Sequence, residues 1–333
     1  MREPAFWRRG GALAQLLAPA SLLYGAVANA RMRRGGEHAG VPVLCVGNLT
    51  QGGTGKTPTA LTLAKLLLAR SLKPFFLTRG YGGNDAGPIV VQAGHTAREV
   101  GDEALILARL APTVVARDRA AGAIAAVNAG AGVIIMDDGF QNPAIEKDFS
   151  LVVVDGDRGI GNGRVFPAGP LRASLDAQLA RAHGLLVVGS ISANTRQLVG
   201  RARAAGLPVL TGQLVPDPGA VAALRGKKVL AYAGIGNPAK FFATLSNNGI
   251  AVSQMRTFDD HHAYSADEAA DLVGTATADR LTLVTTEKDI ARMRGDDALA
   301  ALARASNVLP VTMAFDDEAA LRRDVIDALL KSA

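Results

Sequence analysis

Residues 43–57 of the chain read VLCVGNLTQGGTGKT, an apolar run followed by a glycine-rich turn and the pair Lys-Thr. The residues that follow repeat apolar side chains with a helical period. A buried strand, a glycine loop and a helix in this order are typical of a loop that binds nucleotide phosphates. The glycines let backbone N–H groups point at phosphate oxygens, and the helix N-terminus adds a favourable dipole. The stretch therefore predicts an α/β fold with a nucleotide site.

The glycine loop contains six candidate phosphate ligands, which are Gly52, Gly53, Thr54, Gly55, Lys56 and Thr57. The Lys56 ammonium can reach the β- and γ-phosphates, and the Thr57 hydroxyl can bind Mg²⁺. The spacing departs from the usual one because Thr50 stands where a glycine is expected. The alternative interpretation of the stretch is a tight turn before an ordinary helix.

The composition is that of a globular protein, with 49% hydrophobic and 20% charged residues among 333. This length favours two domains. The formal charge of +6 favours anionic partners, whereas the low aromatic content of 5% and the lack of a long basic tract disfavour a nucleic-acid binder. The single cysteine, Cys45, cannot form an internal disulfide, and a reducing compartment is expected.

Apolar strand patterns alternate with helical patterns through most of the chain. We expect residues 36–216 to form a mostly parallel sheet with helices on both faces. A stretch rich in proline and glycine follows, and residues 217–333 are predicted to form a smaller α/β unit that closes a cleft. The last strand of that unit is expected at 308–312 and its last helix at about 317–331.

The N-terminal segment, residues 1–35, is apolar and has arginines at both ends: Arg2, Arg8, Arg9, Arg31, Arg33 and Arg34. Gln15 and Pro19 interrupt the run, so it lacks the roughly 20 clean apolar residues of a spanning helix. We expect a helix that lies in the membrane interface, with its arginines on anionic lipid. The alternative is a helix packed on the core of the protein itself.

Three groups of acidic residues and histidines are candidates for catalysis or for metal binding. Asp137 and Asp138 come after the most apolar strand, where a carboxylate partner of Mg²⁺ is expected; alternatively, one of them is only a turn residue. Asp102 begins a helix, so it is either a helix cap or a general base. His261 and His262 lie in a polar loop of the second unit, where an acid-base or orienting role fits better than a metal site.

Three arginines are candidate phosphate ligands. Arg79 and Arg119 lie just beyond predicted strand ends, and Arg172 ends the rigid turn FPAGPLR. Each can equally be a solvated surface arginine. Asn48 and Gln141, within the motifs VGNLT and DDGFQ, are further candidates for contact with substrate or phosphate.

Eight motifs occur in order along the chain: VGNLTQGGTGKTP, LTRGYGG, GDEA, DDGFQN, FPAGPLR, AGIGNP, FDDHH and TTEKD. With this ordered set, which extends to about residue 290, the chain resembles the tetraacyldisaccharide 4′-kinase family of lipid A biosynthesis. The resemblance implies two α/β/α domains, the first with a P-loop NTPase-like sheet, and an active site in the cleft between them. It also implies a peripheral or monotopic enzyme at the cytoplasmic face of the Gram-negative inner membrane.

The reaction that the resemblance implies is Mg²⁺-dependent transfer of the γ-phosphate of ATP to the 4′-hydroxyl of a membrane-embedded acylated glucosamine disaccharide 1-phosphate, giving lipid IVA. Carried over by motif, residues 52–57 bind the nucleotide, Asp137 and Asp138 serve Mg²⁺, and Asp102 paired with His261 is the candidate base. No nucleic acid and no obligate protein partner are expected.

Two positions depart from the family pattern. Ala173 stands where the family usually has glutamate, and Asn142 stands where it usually has histidine. Neither change removes the phosphate loop or the candidate base. The rival interpretations are a soluble P-loop kinase or ligase for a small metabolite and a partitioning- or targeting-type ATPase switch.

Overall fold

The structure, a computed structural model, describes residues 4–332. Its strands are β1 (Val43–Gly47), β2 (Pro74–Thr78), β3 (Ile89–Val90), β4 (Thr113–Val115), β5 (Val133–Asp137), β6 (Phe149–Asp155), β7 (Gly184–Val188), β8 (Val209–Pro216), β9 (Lys228–Ala233), β10 (Ala251–Thr257), β11 (Thr282–Thr285), β12 (Ser306–Val308) and β13 (Val311–Phe315). Two sheets contain them all.

The larger sheet has nine strands in the order β13-β8-β7-β6-β1-β5-β2-β4-β3. Only its two edge strands, β13 and β3, run antiparallel to their neighbours. The central strands β1, β5, β6 and β7 are buried along their whole length, because helices cover both faces of the sheet. The predicted mostly parallel sheet is confirmed.

The helices are α1 (Phe6–Arg9), α2 (Ala12–Leu16), α3 (Ala18–Met32), α4 (Lys56–Leu68), α5 (Ala97–Val100), α6 (Asp102–Leu107), α7 (Arg119–Asn128), α8 (Leu175–Leu179), α9 (Ala193–Ala204), α10 (Pro218–Leu224), α11 (Pro238–Asn247), α12 (Ala266–Ala278), α13 (Glu287–Met293), α14 (Ala300–Ala305), α15 (Glu318–Leu321) and α16 (Asp327–Ser332). A 3₁₀ turn at Asp297–Leu299 and a π-helical turn at Arg322–Ile326 complete them. Apolar side chains of α7, α8 and α9 pack on one face of the large sheet, and those of α4 pack on the other.

The smaller sheet has four parallel strands in the order β10-β9-β11-β12. Helix α11 packs on one face through Phe241, Phe242 and Leu245, and α12 and α14 pack on the other. We call residues 217–309 the small unit and the rest of the sheet-forming chain the large unit. Helix α13 of the small unit lies against α6 of the large unit, where Ala291 is fully buried.

The C-terminal segment differs from the expectation for residues 217–333. The predicted strand at 308–312 is divided at Pro310: β12 ends before it in the small sheet, and β13 begins after it and pairs with β8 of the large sheet. Proline has no N–H for a strand ladder, which explains the break. The following turns bury Leu321, Ile326 and Leu329 under the large sheet, so this segment returns to the first core.

The N-terminal segment forms three helices rather than one, and Gly10 and Gly11 adopt positive φ at the break between α1 and α2. Small residues of α2 and α3, among them Ala14 and Gly25, face the large unit, and Trp7 Nε1 donates to the Pro167 carbonyl at 2.9 Å. The opposite face exposes apolar side chains: Leu13, Leu16, Leu22, Leu23 and Val27. Arg2, which the sequence assigns to this basic segment, lies outside the described residues.

The helices of residues 4–332 include none that combines the length and the apolar character needed to cross a bilayer.

We predict that Leu321→Ala lowers the free energy of unfolding of the large unit by about 3 kcal/mol, because it opens a cavity in a fully buried site. Urea unfolding is the measurement. Leu330, which is 38% exposed two turns later, is the matched control, and Leu330→Ala is expected to cost about 0.5 kcal/mol or less. Equal losses for the two variants would contradict the assignment of this segment to the first core.

Candidate active site

The phosphate loop lies between the end of β1 and the start of α4. Gly52 and Gly55 have φ of 99° and 93°, a left-handed conformation that glycine adopts without strain. Asn48 Nδ2 donates to the Gly52 carbonyl at 3.1 Å, and Thr59 Oγ1 donates to the Gly55 carbonyl at 2.8 Å. Asn48 is fully buried, so its observed contact shapes the loop.

Thr57 and Asp137 meet at the start of α4 and the end of β5. The Thr57 hydroxyl donates to Asp137 Oδ2 at 3.0 Å, while Asp137 Oδ1 is buried without a hydrogen-bond partner within residues 4–332. Burial, with the nearby Glu103 carboxylate, raises the pKa of Asp137 to about 7 against the opposing charge of Lys56. An unpartnered buried carboxylate oxygen beside a hydroxyl fits a hard cation such as Mg²⁺.

The described part of the chain contains no group of three or more His, Cys, Asp or Glu side chains that could hold a metal ion by itself. This fits Mg²⁺, which keeps waters and is usually held by one or two carboxylates together with substrate phosphates. Thr57 and Asp137 are therefore the residues that could hold it.

Asp138 joins two cations at the same edge of the sheet. Arg172 Nη1 and Nη2 donate to its two oxygens at 2.7 and 3.2 Å, and Lys56 Nζ lies 3.8 Å away. Burial acts to raise the pKa of Asp138, but Lys56 and Arg172 outweigh it and hold that pKa well below its usual range. Arg172 Nε also donates to the Thr50 carbonyl at 3.1 Å, which ties the turn after β6 to the phosphate loop.

A cavity of about 380 Å³ opens beside Asp138 and Arg172. Its lining includes Arg79 and Gln141 from the large unit, together with residues of α3: Tyr24, Val27, Ala28 and Arg31. Gln141 Nε2 donates to the Asn48 carbonyl at 2.7 Å, so Gln141 also supports the loop. We call this space the arginine cavity.

Arg119 does not lie on the described lining of the arginine cavity. Its side chain is buried and donates to the Ala116 carbonyl, and burial lowers its pKa to about 10. Of the three predicted phosphate arginines, the fold therefore brings Arg79 and Arg172 together and leaves Arg119 inside the large unit.

Asp102 and His261 meet across the two units. His261 Nδ1 lies 3.4 Å from Asp102 Oδ2, and the His261 ring packs against Tyr81. His262 points elsewhere, with its Nε2 at 2.9 Å from Glu268, so the histidine that faces Asp102 is His261. Burial acts to raise the pKa of Asp102, but His261 and the cations on α13 outweigh it and hold that pKa well below its usual range.

A second cavity of about 380 Å³ lies between the units and is lined by residues 53–58 of the phosphate loop and the first turn of α4. We call it the loop cavity. Apolar side chains from separate segments form much of its wall: Leu61, Leu214, Ile235, Phe241, Leu309 and Val311. A concave apolar wall next to a phosphate loop suits a nucleobase. Sequence reasoning missed these residues, of which only Ile235 lies in one of the eight motifs, AGIGNP.

Cross-unit ion pairs surround the cleft. Lys288 Nζ lies 2.6 Å from Glu103, Lys240 Nζ lies 3.1 Å from Asp155, and Arg292 contacts Asp102. Lys288 lies within the TTEKD motif. Arg292, three residues after the end of that motif, was not predicted from the sequence.

The two departures from the family pattern have local explanations. Ala173 is fully buried, and its carbonyl accepts a hydrogen bond from Gln178 at 2.9 Å. Asn142 Oδ1 accepts from the Ala144 backbone at 2.8 Å and so closes a turn. Position 173 supplies no carboxylate to the site.

A sequence profile described as Tetraacyldisaccharide-1-P 4'-kinase matches residues 13–330. The chain belongs to the tetraacyldisaccharide 4′-kinase family. A tetraacyldisaccharide 4'-kinase of Rhodopseudomonas palustris strain BisA53 is 54% identical over 330 residues, with 99% of this chain and 96% of the relative covered. The corresponding protein of Nitrobacter winogradskyi is 52% identical over 333 residues, with 99% and 98% covered.

Among solved structures, the chain is similar to LpxK from Aquifex aeolicus, crystallised in complex with ATP. The TM-score is 0.70 at 25% identity, and the match covers 96% of this chain and all of the other. The similarity in fold therefore extends over nearly the whole chain.

We predict that Asp137→Asn stabilises the ligand-free protein at high pH. Because the folded-state pKa of Asp137 is raised, the stability that its protonated form supplies is lost as pH rises toward and through about 7. Asparagine cannot ionise, so the thermal midpoint of the variant should exceed that of the natural chain increasingly from about pH 4 to about pH 7, and by a constant amount above that. Asp176→Asn, at a side chain that is 86% exposed, is the control, and a constant difference from about pH 4 to about pH 7 would contradict the prediction.

Proposed function

We propose that this protein is a lipid A 4′-kinase, which transfers the γ-phosphate of ATP to the 4′-hydroxyl of tetraacyldisaccharide 1-phosphate and forms lipid IVA. The observation that carries the proposal is the Asp102–His261 pair in a chain of this family: Glu103, next to Asp102, lines both the loop cavity and the arginine cavity, and Tyr81, which packs against His261, lines the arginine cavity. A phosphate donor and a hydroxyl acceptor can thus bind close to one acid-base pair.

The donor half consists of the loop cavity and residues 52–57. Backbone N–H groups of the loop and the Lys56 ammonium hold the triphosphate, and the apolar wall receives the base. Thr57 and Asp137 hold Mg²⁺, which neutralises charge on the phosphates when it is bound. Asp138 keeps Lys56 and Arg172 close to the same phosphates through its two ion pairs.

The acceptor half consists of the arginine cavity and the helices that border it. Arg79 and Arg172 offer cationic groups to a phosphorylated sugar. The exposed leucines of α2 and α3 lie on the segment that borders this cavity. An acceptor with four acyl chains stays in the bilayer, so we propose that this apolar face enters the membrane interface at the cytoplasmic side of the inner membrane.

The chemistry of phosphoryl transfer depends mainly on in-line positioning and charge stabilisation. The sugar hydroxyl needs to lose its proton as its oxygen attacks the γ-phosphorus, and the Asp102–His261 pair is the acid-base group of the cleft. A kinase for a small soluble metabolite or an ATPase switch would leave the exposed apolar face and the family membership without explanation.

We predict that purified protein transfers ³²P from γ-labelled ATP to tetraacyldisaccharide 1-phosphate in mixed micelles, and that Asp102→Asn and His261→Asn each lower kcat about 10²- to 10⁴-fold. The KM for ATP should change less than about threefold. Asparagine is the suitable replacement at 261 because the backbone there has φ of 58°, which asparagine tolerates.

The control reaction contains ATP and Mg²⁺ without lipid and measures release of free phosphate. Rapid hydrolysis with no labelled lipid would overturn the proposal in favour of an ATPase switch. A collapse of ATP affinity with unchanged kcat in either variant would remove the base assignment.

We predict that replacing Leu16, Leu22 and Leu23 together with glutamine weakens flotation with vesicles that contain phosphatidylglycerol, because each side chain is about three-quarters exposed and lies on the same segment. Ile124→Gln on α7, at a residue that is 59% exposed and lies outside this segment, is the control and should float like the natural chain. Unchanged flotation of the triple variant would contradict membrane docking through this face.

A further inference from the structure

Lys288 lies in the first turn of α13 and is a cation of the cleft that the proposed reaction leaves without a role. Its side chain crosses from the small unit to the large unit, where Nζ lies 2.6 Å from Glu103 Oε1. We propose that Lys288 is a catalytic residue whose ammonium donates hydrogen bonds to the γ-phosphoryl group while that group passes from ATP to the acceptor hydroxyl. This inference rests on the proposed lipid kinase function and deepens it.

Glu103 marks the boundary between the two halves of the candidate site. It lines the loop cavity, which is the proposed donor half, and it also lines the arginine cavity, which is the proposed acceptor half. No other residue on the described linings belongs to both cavities. A phosphoryl group that leaves a nucleotide in the loop cavity for a hydroxyl in the arginine cavity therefore passes Glu103 and the ammonium bound to it.

Lys288 shares the loop cavity with the phosphate loop. It lines that cavity together with residues 53–58, so a triphosphate held by the loop lies in the same space as the Lys288 side chain. Two other cations of the site, Lys56 and Arg172, both pair with Asp138 of the large unit. Lys288 is the cation that the small unit adds at the boundary residue Glu103.

The surroundings keep the Lys288 ammonium charged. Burial acts to lower its pKa, but the carboxylates of Glu103, Asp102 and Asp137 outweigh burial and raise that pKa above its usual value. Phosphoryl transfer spreads negative charge over the γ-phosphate oxygens, and a fixed cation in a site that excludes water stabilises this charge more strongly than it would in bulk solvent. The ion pair with Glu103 offsets part of the cost of burying the cation before ATP binds.

The backbone that carries Lys288 is fixed, whereas its side chain has room to move. Thr286 Oγ1 donates to Asp289 Oδ2 at 2.5 Å, and Asp289, which has no exposed surface, accepts from the Gly234 N–H at 2.9 Å. These bonds hold the first turn of α13 in place. The Lys288 side chain is 31% exposed, so its ammonium can turn from Glu103 to a phosphate oxygen without movement of the helix.

The alternative role for Lys288 is docking of the two units, and a second lysine between the units separates the two roles. Lys240 Nζ lies 3.1 Å from Asp155. Lys240 is on the described lining of the loop cavity but not of the arginine cavity, and Asp155 is on neither. Lys240→Met therefore removes an ion pair between the units and leaves the cation at the boundary in place.

The proposed step has a complete balance of atoms and charge. The acceptor oxygen forms a bond to the γ-phosphorus, the bond from that phosphorus to the bridging oxygen of ADP breaks, and the hydroxyl proton passes to the Asp102–His261 pair. Lys288 keeps its protons throughout and donates hydrogen bonds to non-bridging oxygens of the group in transit. Its contribution is electrostatic, and it is larger for the group in transit than for bound ADP, which has no γ-phosphate.

The first test compares Lys288→Met with Lys240→Met in the lipid phosphorylation assay. Lys288→Met is expected to lower kcat about 10²- to 10³-fold, because it removes a fixed charge from the group in transit, and to change the KM for ATP less than about threefold. Lys288→Arg keeps the positive charge and should recover most of the loss. Lys240→Met should retain more than about a tenth of the natural kcat.

The second test measures binding without turnover. Isothermal titration calorimetry gives the affinity for ADP with Mg²⁺ in the presence and absence of aluminium fluoride, which mimics the phosphoryl group in transit. Lys288→Met should weaken binding of ADP with aluminium fluoride about 100-fold and binding of ADP alone less than about threefold. Lys240→Met should change both affinities by the same factor.

A double variant guards against misfolding of Lys288→Met. Removing one partner of a buried ion pair leaves an unpaired charge, whereas Lys288→Met combined with Glu103→Gln removes both charges. The double variant should fold like the natural chain by thermal melting and should show the same loss of affinity for ADP with aluminium fluoride.

Equal losses of affinity for ADP and for ADP with aluminium fluoride in Lys288→Met would overturn the inference and leave Lys288 as a docking residue. A double variant that binds the analogue as tightly as the natural chain, or a natural chain that gains no affinity from aluminium fluoride, would overturn it as well. Absence of lipid phosphorylation in a natural chain that binds the analogue would instead overturn the proposed function. The binding test needs no acceptor lipid, so the two failures are distinguishable.

Discussion

Parallel strands end at the same edge of a sheet, and the candidate site of this protein depends on that constraint. In the large sheet, β1 leads into the phosphate loop, β2 into Arg79 and β5 into Asp137 and Asp138. In the small sheet, β9 leads into Gly234 and β11 into Thr286 and α13. The cleft lies where these edges face each other, so residues distant in sequence converge there.

Buried charge is the main energetic feature of this cleft. A buried carboxylate is costly unless cations and hydrogen bonds compensate it. Asp102 and Asp138 have such partners, and their pKa values lie well below the usual range; within residues 4–332 no cation forms an ion pair with Asp137, and its pKa is raised. The pKa of Asp137 is therefore shifted in the opposite direction from the pKa values of Asp102 and Asp138.

The ion pairs between the two units serve both the docking of the small unit and the proposed catalytic site. Arg292 and Lys288 come from one short helix, and each pairs with a residue at the start of α6. Because α6 begins with Asp102, docking of the small unit and orientation of the proposed acid-base pair use the same contacts. The loop cavity is lined from both units as well, so nucleotide binding and docking are expected to favour each other.

The sequence by itself determined the features that depend on interactions between near neighbours in the chain. These are the strand, glycine loop and helix at residues 43–68, the mostly parallel sheet, and the carboxylates at the end of β5. Hydrophobic periodicity and glycine conformation act over a few residues, so they can be read from the chain directly. Tertiary structure alone decided the rest. Pro310 divided a predicted strand between two sheets, Arg119 was buried rather than presented to a ligand, and His261 rather than His262 came to face Asp102. Tertiary structure alone also decided the contacts of Arg292 and the apolar wall of the loop cavity. These features depend on contacts between residues that are more than a hundred positions apart in the sequence.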